Sequence, residues 1–249
     1  MARGLYVETV VRVPADLLWQ VTQDPAQHQR WDLRFTEITY DRPPAPGEPQ
    51  RFVYAIRLGP RWLPLARVAG TGTTLGERWR DDGTRTSALR FASSDPRSPL
   101  LDGSGWWRYV PTADGVRFLT GYDYRTRWGR VGEVVDRHAF RPWMGWATAW
   151  SFDRLRIWLE DGIPPEVSRR RAVTDAAGRA AAVAVPVMLL RRRSGAAAAL
   201  GGLVGLVAAV AVPAPRGVPR ARRCLRRAHD ALGQRSPAVA ARLTDGPAE

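Results

Sequence analysis

Glu77 sits between Leu75 and Trp79 in a stretch whose alternation would point all three to one side of a strand. A carboxylate held among apolar side chains has a raised pKa. It can then act as a general acid or base, or bind a polar group of a ligand. The competing reading is structural, with Glu77 paired to a neighbouring arginine such as Arg90 or lying exposed at a strand end. Other chemistry is sparse. His28, His138 and His229 are too widely spaced for a local metal motif, and Cys224 is the only cysteine, so neither a metal site nor an intrachain disulfide is expected. His138, on an apolar helical stripe, reads as a core histidine. The glycines at 70, 72 and 76 lack the lysine and following helix of a phosphate loop and read as a bulged strand. No Ser-His-acid or Cys-His set stands out, and no cofactor is implied.

These residues need elements to position them. Residues 5–13 alternate as a strand. Pro14 suits the first turn of a helix over 15–21, and Asp24 caps a second helix running to Trp31. Further strands are predicted at 35–40, 51–58, 65–80 (bulged at its glycines), 86–93, 106–110 and 116–128. A turn-rich loop is expected over 94–105. A long helical pattern then covers 131–162, holding Trp143, Trp146, Trp150 and Trp158. It carries two apolar stripes, one more than a helix on an ordinary core requires. The phase of the apolar face changes at Pro142, where a break is expected. The fold class that follows is α+β: a curved antiparallel sheet of about six or seven strands around a long helix, with two short helices near the N-terminus.

The residues VETVVRVPADLLWQVTQDPAQHQRWD (7–32) and FRPWMGWATAWSFDRLRIWLEDG (140–162) resemble the START-like, helix-grip superfamily, which includes the SRPBCC proteins of polyketide cyclase/dehydrase type. Pro14, Trp19, Asp24, Trp31 and Asp32 follow the family's course from first strand to second helix. The resemblance covers about residues 4–163. It implies an apolar cavity between sheet and helix that holds lipids, polyketides or other hydrophobic small molecules. On the predicted faces, Tyr54, Glu77, Trp79, Phe91, Phe118, Tyr122, Tyr124, Trp146 and Trp150 would surround it. Core filling is the competing reading for each.

The chain is expected to divide at 163. The 38 basic residues are all arginine, and the net charge is +14. Residues 1–167 are almost balanced at +3, whereas 168–249 carry +11. This second part, 164–249, is rich in Arg and Ala and contains a wholly apolar run at 196–212. That run is just long enough for a membrane span, but its Ala and Gly content is poor for one. Three readings are open for it: a membrane anchor or hairpin, a helix on an anionic membrane surface, and a tail that is flexible or packs on the domain. Nucleic-acid binding ranks last, because no aromatic platform accompanies the arginines. The N-terminus lacks the features of a signal peptide, so a cytoplasmic location is expected, with membrane association through the tail as an addition.

Three functions compete. The first is binding or carriage of a hydrophobic molecule. The second is a cyclase/aromatase-type enzyme in the same cavity, with Glu77 or a tyrosine moving protons. The third is a membrane-associated interaction module.

Overall fold

The computed structural model describes residues 4–41, 49–58, 66–192 and 196–235. Seven strands form one antiparallel sheet: β1 (Leu5–Val11), β2 (Glu37–Tyr40), β3 (Arg51–Leu58), β4 (Ala66–Trp79), β5 (Arg85–Ala92), β6 (Leu100–Thr112) and β7 (Gly115–Thr126). Their spatial order is β1-β7-β6-β5-β4-β3-β2. Strands β2 to β7 are thus a meander, and the first strand closes onto the last. Between β1 and β2 run α1 (Ala15–Gln23) and α2 (Pro25–Trp31). The Asp24 carboxylate accepts from the Ala26 N–H at 2.8 Å, the cap expected before a helix that opens with proline. This is a helix-grip α+β fold.

β6 starts six residues before the predicted 106, so much of the predicted loop over 94–105 is strand. Runs of Gly, Ser and Asp hid it, because pairing with β5 and β7 overrides their weak strand preference.

After β7 come α3 (Gly129–Val135), one wide π turn over Asp136–Phe140, and α4 (Arg141–Asp161). The break expected at Pro142 takes this form. Proline offers no N–H and crowds the carbonyl four residues back, and a turn of wider spacing accommodates both. It also explains the change of phase in the apolar stripes. His138 is exposed here and is not a core residue.

α4 serves two purposes along its length. Its C-terminal half seats Phe152 and Leu155 on the core, where Phe152 stacks on Phe118 of β7 at 4.4 Å between ring centres. Trp31, Leu18 and Tyr109 complete that core and are fully buried. Its N-terminal half, from Trp143 to Met144, walls a hollow.

The face of α4 that carries Ala149 and Asp153 is covered by the chain itself. Cys224 donates its thiol to the Ala149 carbonyl at 3.2 Å, and buried Asp153 accepts from the Arg220 N–H (2.7 Å) and the Arg223 guanidinium (2.9 Å). Leu225 then exchanges two backbone hydrogen bonds with Glu8, closing the outer edge of β1. Between α4 and this returning segment lie α5 (Pro165–Arg192) and α6 (Ala196–Ala211), packed on each other as a hairpin. Arg179 of α5, held by Asp175 at 2.8 Å, donates to the Ala209 and Val212 carbonyls and so caps the C-terminal end of α6.

Phe152→Ala removes a ring from a site without solvent access. We expect it to lower the unfolding free energy by about 3–5 kcal/mol, measured by urea denaturation.

Candidate functional site

A cavity of about 360 Å³ lies between the middle strands, α2 and the start of α4. Its wall is built by cross-strand pairs in which a large ring faces a glycine. Phe52 pairs with Gly72, Tyr54 with Gly70, and Phe91 with Gly103. Each ring lies flat over its glycine, so a Cβ at Gly72 would overlap the Phe52 ring and one at Gly70 the Tyr54 ring. The rings therefore line the sheet and do not fill the space in front of it. The wall is almost wholly apolar, with Ile38, Ile56, Val68, Leu89, Leu100, Phe140 and Met144 completing it. Arg97 and Trp143 belong to the lining and are both exposed, so the hollow reaches the surface between the loop before β6 and the start of α4.

The predicted site residues separate into two groups. Tyr54, Phe91, Tyr122 and Tyr124 line the cavity. Glu77, Trp79, Phe118, Trp146 and Trp150 do not. Glu77 lies beyond a register shift at Thr74–Gly76, opposite Ser87, and is exposed. The bulge carries the end of β4 past the cavity, so the environment that would have made Glu77 an acid or base is missing. Trp79, on the same overhang, packs beside Trp19 at 5.5 Å and is 56% exposed. Phe118 is fully buried in the core. Trp150 of α4 is buried in the core, and Trp146 stacks on it at 6.3 Å while 42% exposed.

The polar end of the cavity was not foreseen. Asp32 and Arg34, in the turn after α2, are both buried. The Arg34 guanidinium donates through Nε to Asp32 Oδ1 at 2.9 Å and through Nη2 to Oδ2 at 2.6 Å. His28, one helical turn back, places Nε2 3.0 Å from Asp32 Oδ2. Burial works against ionising Asp32, but the charge of Arg34 and the hydrogen bonds from His28 and Arg34 outweigh it and hold the carboxyl below its usual range. Burial likewise opposes the Arg34 charge, and Asp32 reverses the effect. Arg34 also lies over the Tyr122 ring, 5.4 Å from its centre, and the Tyr122 hydroxyl contacts Thr148 Oγ1 at 2.6 Å. Arg34 and His28 both reach the cavity lining; Asp32 stands behind them. An Asp two residues before an Arg at a helix end could have suggested a local ion pair, but not that the pair is buried.

Two tyrosines differ in their partners. The Tyr124 hydroxyl donates to Asp136 Oδ1 at 2.5 Å, and Arg141 holds the other oxygen at 3.0 Å, tying the π turn to the cavity wall. The Tyr54 hydroxyl has no hydrogen-bond partner among the described residues, although the side chain is 7% exposed. Burial pushes its pKa up to about 12.

No family model matches the chain. It is 43% identical over 172 residues to the uncharacterized membrane protein YndG of Bacillus subtilis (strain 168), a match covering 69% of this chain and 62% of that protein. The chain thus spans less than two thirds of that relative's length. Solved structures similar to it include a STAR-related lipid transfer protein of Xanthomonas axonopodis, 18% identical with a TM-score of 0.43, covering 62% of this chain and 84% of that one. Another is the Zhui aromatase/cyclase of Streptomyces sp. R1128, 16% identical with a TM-score of 0.40, covering 61% and 95%.

Asp32→Asn breaks a buried pair and leaves Arg34 uncompensated. It should cost about 3–5 kcal/mol near neutral pH in chemical denaturation. The depressed carboxyl stabilises the fold fully above the unfolded-state value near pH 4 and loses that contribution as pH falls below it. Stability measured from pH 5 to pH 2 should therefore fall more steeply in the parent protein than in the variant. Tyr54→Phe removes a hydroxyl that has no hydrogen-bond partner among the described residues. Its stability should stay within about 0.5 kcal/mol of the parent or rise.

Proposed function

We propose that this protein binds and carries a hydrophobic small molecule in the sheet–helix cavity. The observation that carries this is the cavity itself: about 360 Å³, walled by rings laid over glycines, with a few polar groups at one end and an opening at Arg97 and Trp143. That is the size and composition of a small-molecule site. Binding would come from burial of apolar ligand surface, at roughly 25 cal/mol per Å². Among the described residues the lining includes no Asp or Glu, and Glu77 lies outside it. The cyclase/aromatase reading would then rest on a tyrosine or His28 of the lining as its proton-transfer group.

The full-length protein should release an apolar compound when native mass spectrometry is followed by denaturing extraction. Leu89→Trp places a larger side chain into the hollow. We expect it to keep the parent's circular dichroism spectrum and to weaken binding of Nile red at least tenfold. Unchanged Nile red affinity in that variant would place the dye elsewhere and count against the reading.

A second reading is favoured by the hairpin. On α6, Leu200, Leu203, Val204, Leu206 and Val207 are each about half exposed or more, as are Val185 and Met188 on α5. A helix apolar on every side belongs in a core or in lipid. Among the described residues no helix is long and apolar enough to cross a membrane. The hairpin would therefore seat on a membrane surface through these exposed apolar side chains. Full-length protein should float with phosphatidylglycerol-containing vesicles, and Leu203→Asp with Leu206→Asp should abolish flotation. Recovery of the parent protein wholly in the unbound fraction would sink this reading.

A further inference from the structure

We infer that the ligand presents a neutral oxygen acceptor, a ketone, ester or amide carbonyl, to Arg34, and that it is not a free carboxylic acid. This rests on the carrier reading above. Arg34 is 6% exposed, yet its guanidinium belongs to the cavity lining. A guanidinium offers five N–H donors and no acceptor. Asp32 takes two, the Tyr122 hydroxyl lies close to the guanidinium, and the remaining N–H groups have no acceptor among the described residues. An acceptor supplied there, away from solvent, gains a charge-assisted hydrogen bond.

Charge decides which acceptor. Asp32 and Arg34 already neutralise each other at 2.6–2.9 Å. Among the described lining residues the other arginine, Arg97, stands at the exposed mouth and pairs with Asp95, and His28 is held by Asp32. A carboxylate brought to Arg34 would add an uncompensated negative charge to an apolar enclosure and compete with Asp32. A carbonyl takes the spare N–H groups without that cost. The unpartnered Tyr54 hydroxyl, on the far side of Phe35 from Arg34, offers a second polar contact further along the same wall. The ligand class is thus an apolar body bearing one or more neutral carbonyl oxygens.

The test uses Nile red displacement from the full-length protein at pH 8 by methyl laurate, laurate and dodecane. Methyl laurate should compete at least tenfold more effectively than either of the others. Arg34→Met alone leaves Asp32 unpaired and can fail to fold. The informative variant is Asp32→Asn with Arg34→Met, which leaves no buried charge; its fold is checked by thermal melting. Nile red carries a carbonyl of its own, so its affinity should fall in the double variant, while dodecane should displace it at least as well as in the parent and the ester should lose its preference over dodecane. Laurate binding as tightly as the ester, or an ester preference that survives in the double variant, overturns the inference. Equal competition by all three also overturns it while leaving the carrier reading intact. Failure of the parent protein to bind Nile red at all defeats the carrier reading itself.

Discussion

An antiparallel sheet curled around a helix tends to fill with side chains from both. Here the space stays open because three rings lie down. Phe52, Tyr54 and Phe91 each cross onto a neighbouring strand where a glycine leaves room. Any side chain at Gly70, Gly72 or Gly103 would lift a ring into the cavity. The other features of the site depend on this arrangement. The flat rings give Leu89, Val68 and Ile56 an apolar space to face, and they keep the wall close-packed although the middle is hollow.

The cavity has a defined end because α4 changes partners halfway along. From Thr148 onward its inward residues sit on Phe118, Trp31 and the rest of the core; before that they meet open space. Asp32 and Arg34 stand at the border between the two regions. A buried ion pair is a poor source of net stability. This one has a different consequence: it holds a donor-rich group at the edge of an apolar volume, where solvent does not compete for it. Thr148 and Tyr122 extend the same network onto α4.

Much of this was legible in the sequence. The period-two runs located β3 and β7, and Tyr54, Tyr122 and Tyr124 on them line the hollow. Pro14 and Asp24 marked the two short helices. Position along a strand was not legible. Phe118 and Tyr122 share a face, yet one is core and the other cavity wall, because α4 covers only one end of β7. Glu77 failed for a related reason: one bulge at Thr74–Gly76 carries the end of β4 past the hollow. The glycines of β4 were read as a bulge, whereas two of them serve rings on the next strand. Arg34 is not distinguished in the sequence, because nothing in a short turn tells an arginine facing a cavity from one facing water.

The return of the chain after the hairpin changes the meaning of the arginine-rich region. Arg179 is bound to Asp175 and to two carbonyls of the α6 end, Arg223 is bound to Asp153, and Arg171 reaches the Arg216 carbonyl. Glu166 at the start of α5 pairs with Arg30 of α2. These contacts fix both ends of the hairpin to its surroundings by charge, and the residues from 180 to 190 and from 196 to 211 carry none. The charge excess of this region is therefore divided by position. The arginines at the base are engaged in the fold, and the distal part is left apolar. An arginine count alone would suggest a polyanion partner. The placement of these side chains shows that several are structural, and that what the hairpin offers outward is an apolar surface.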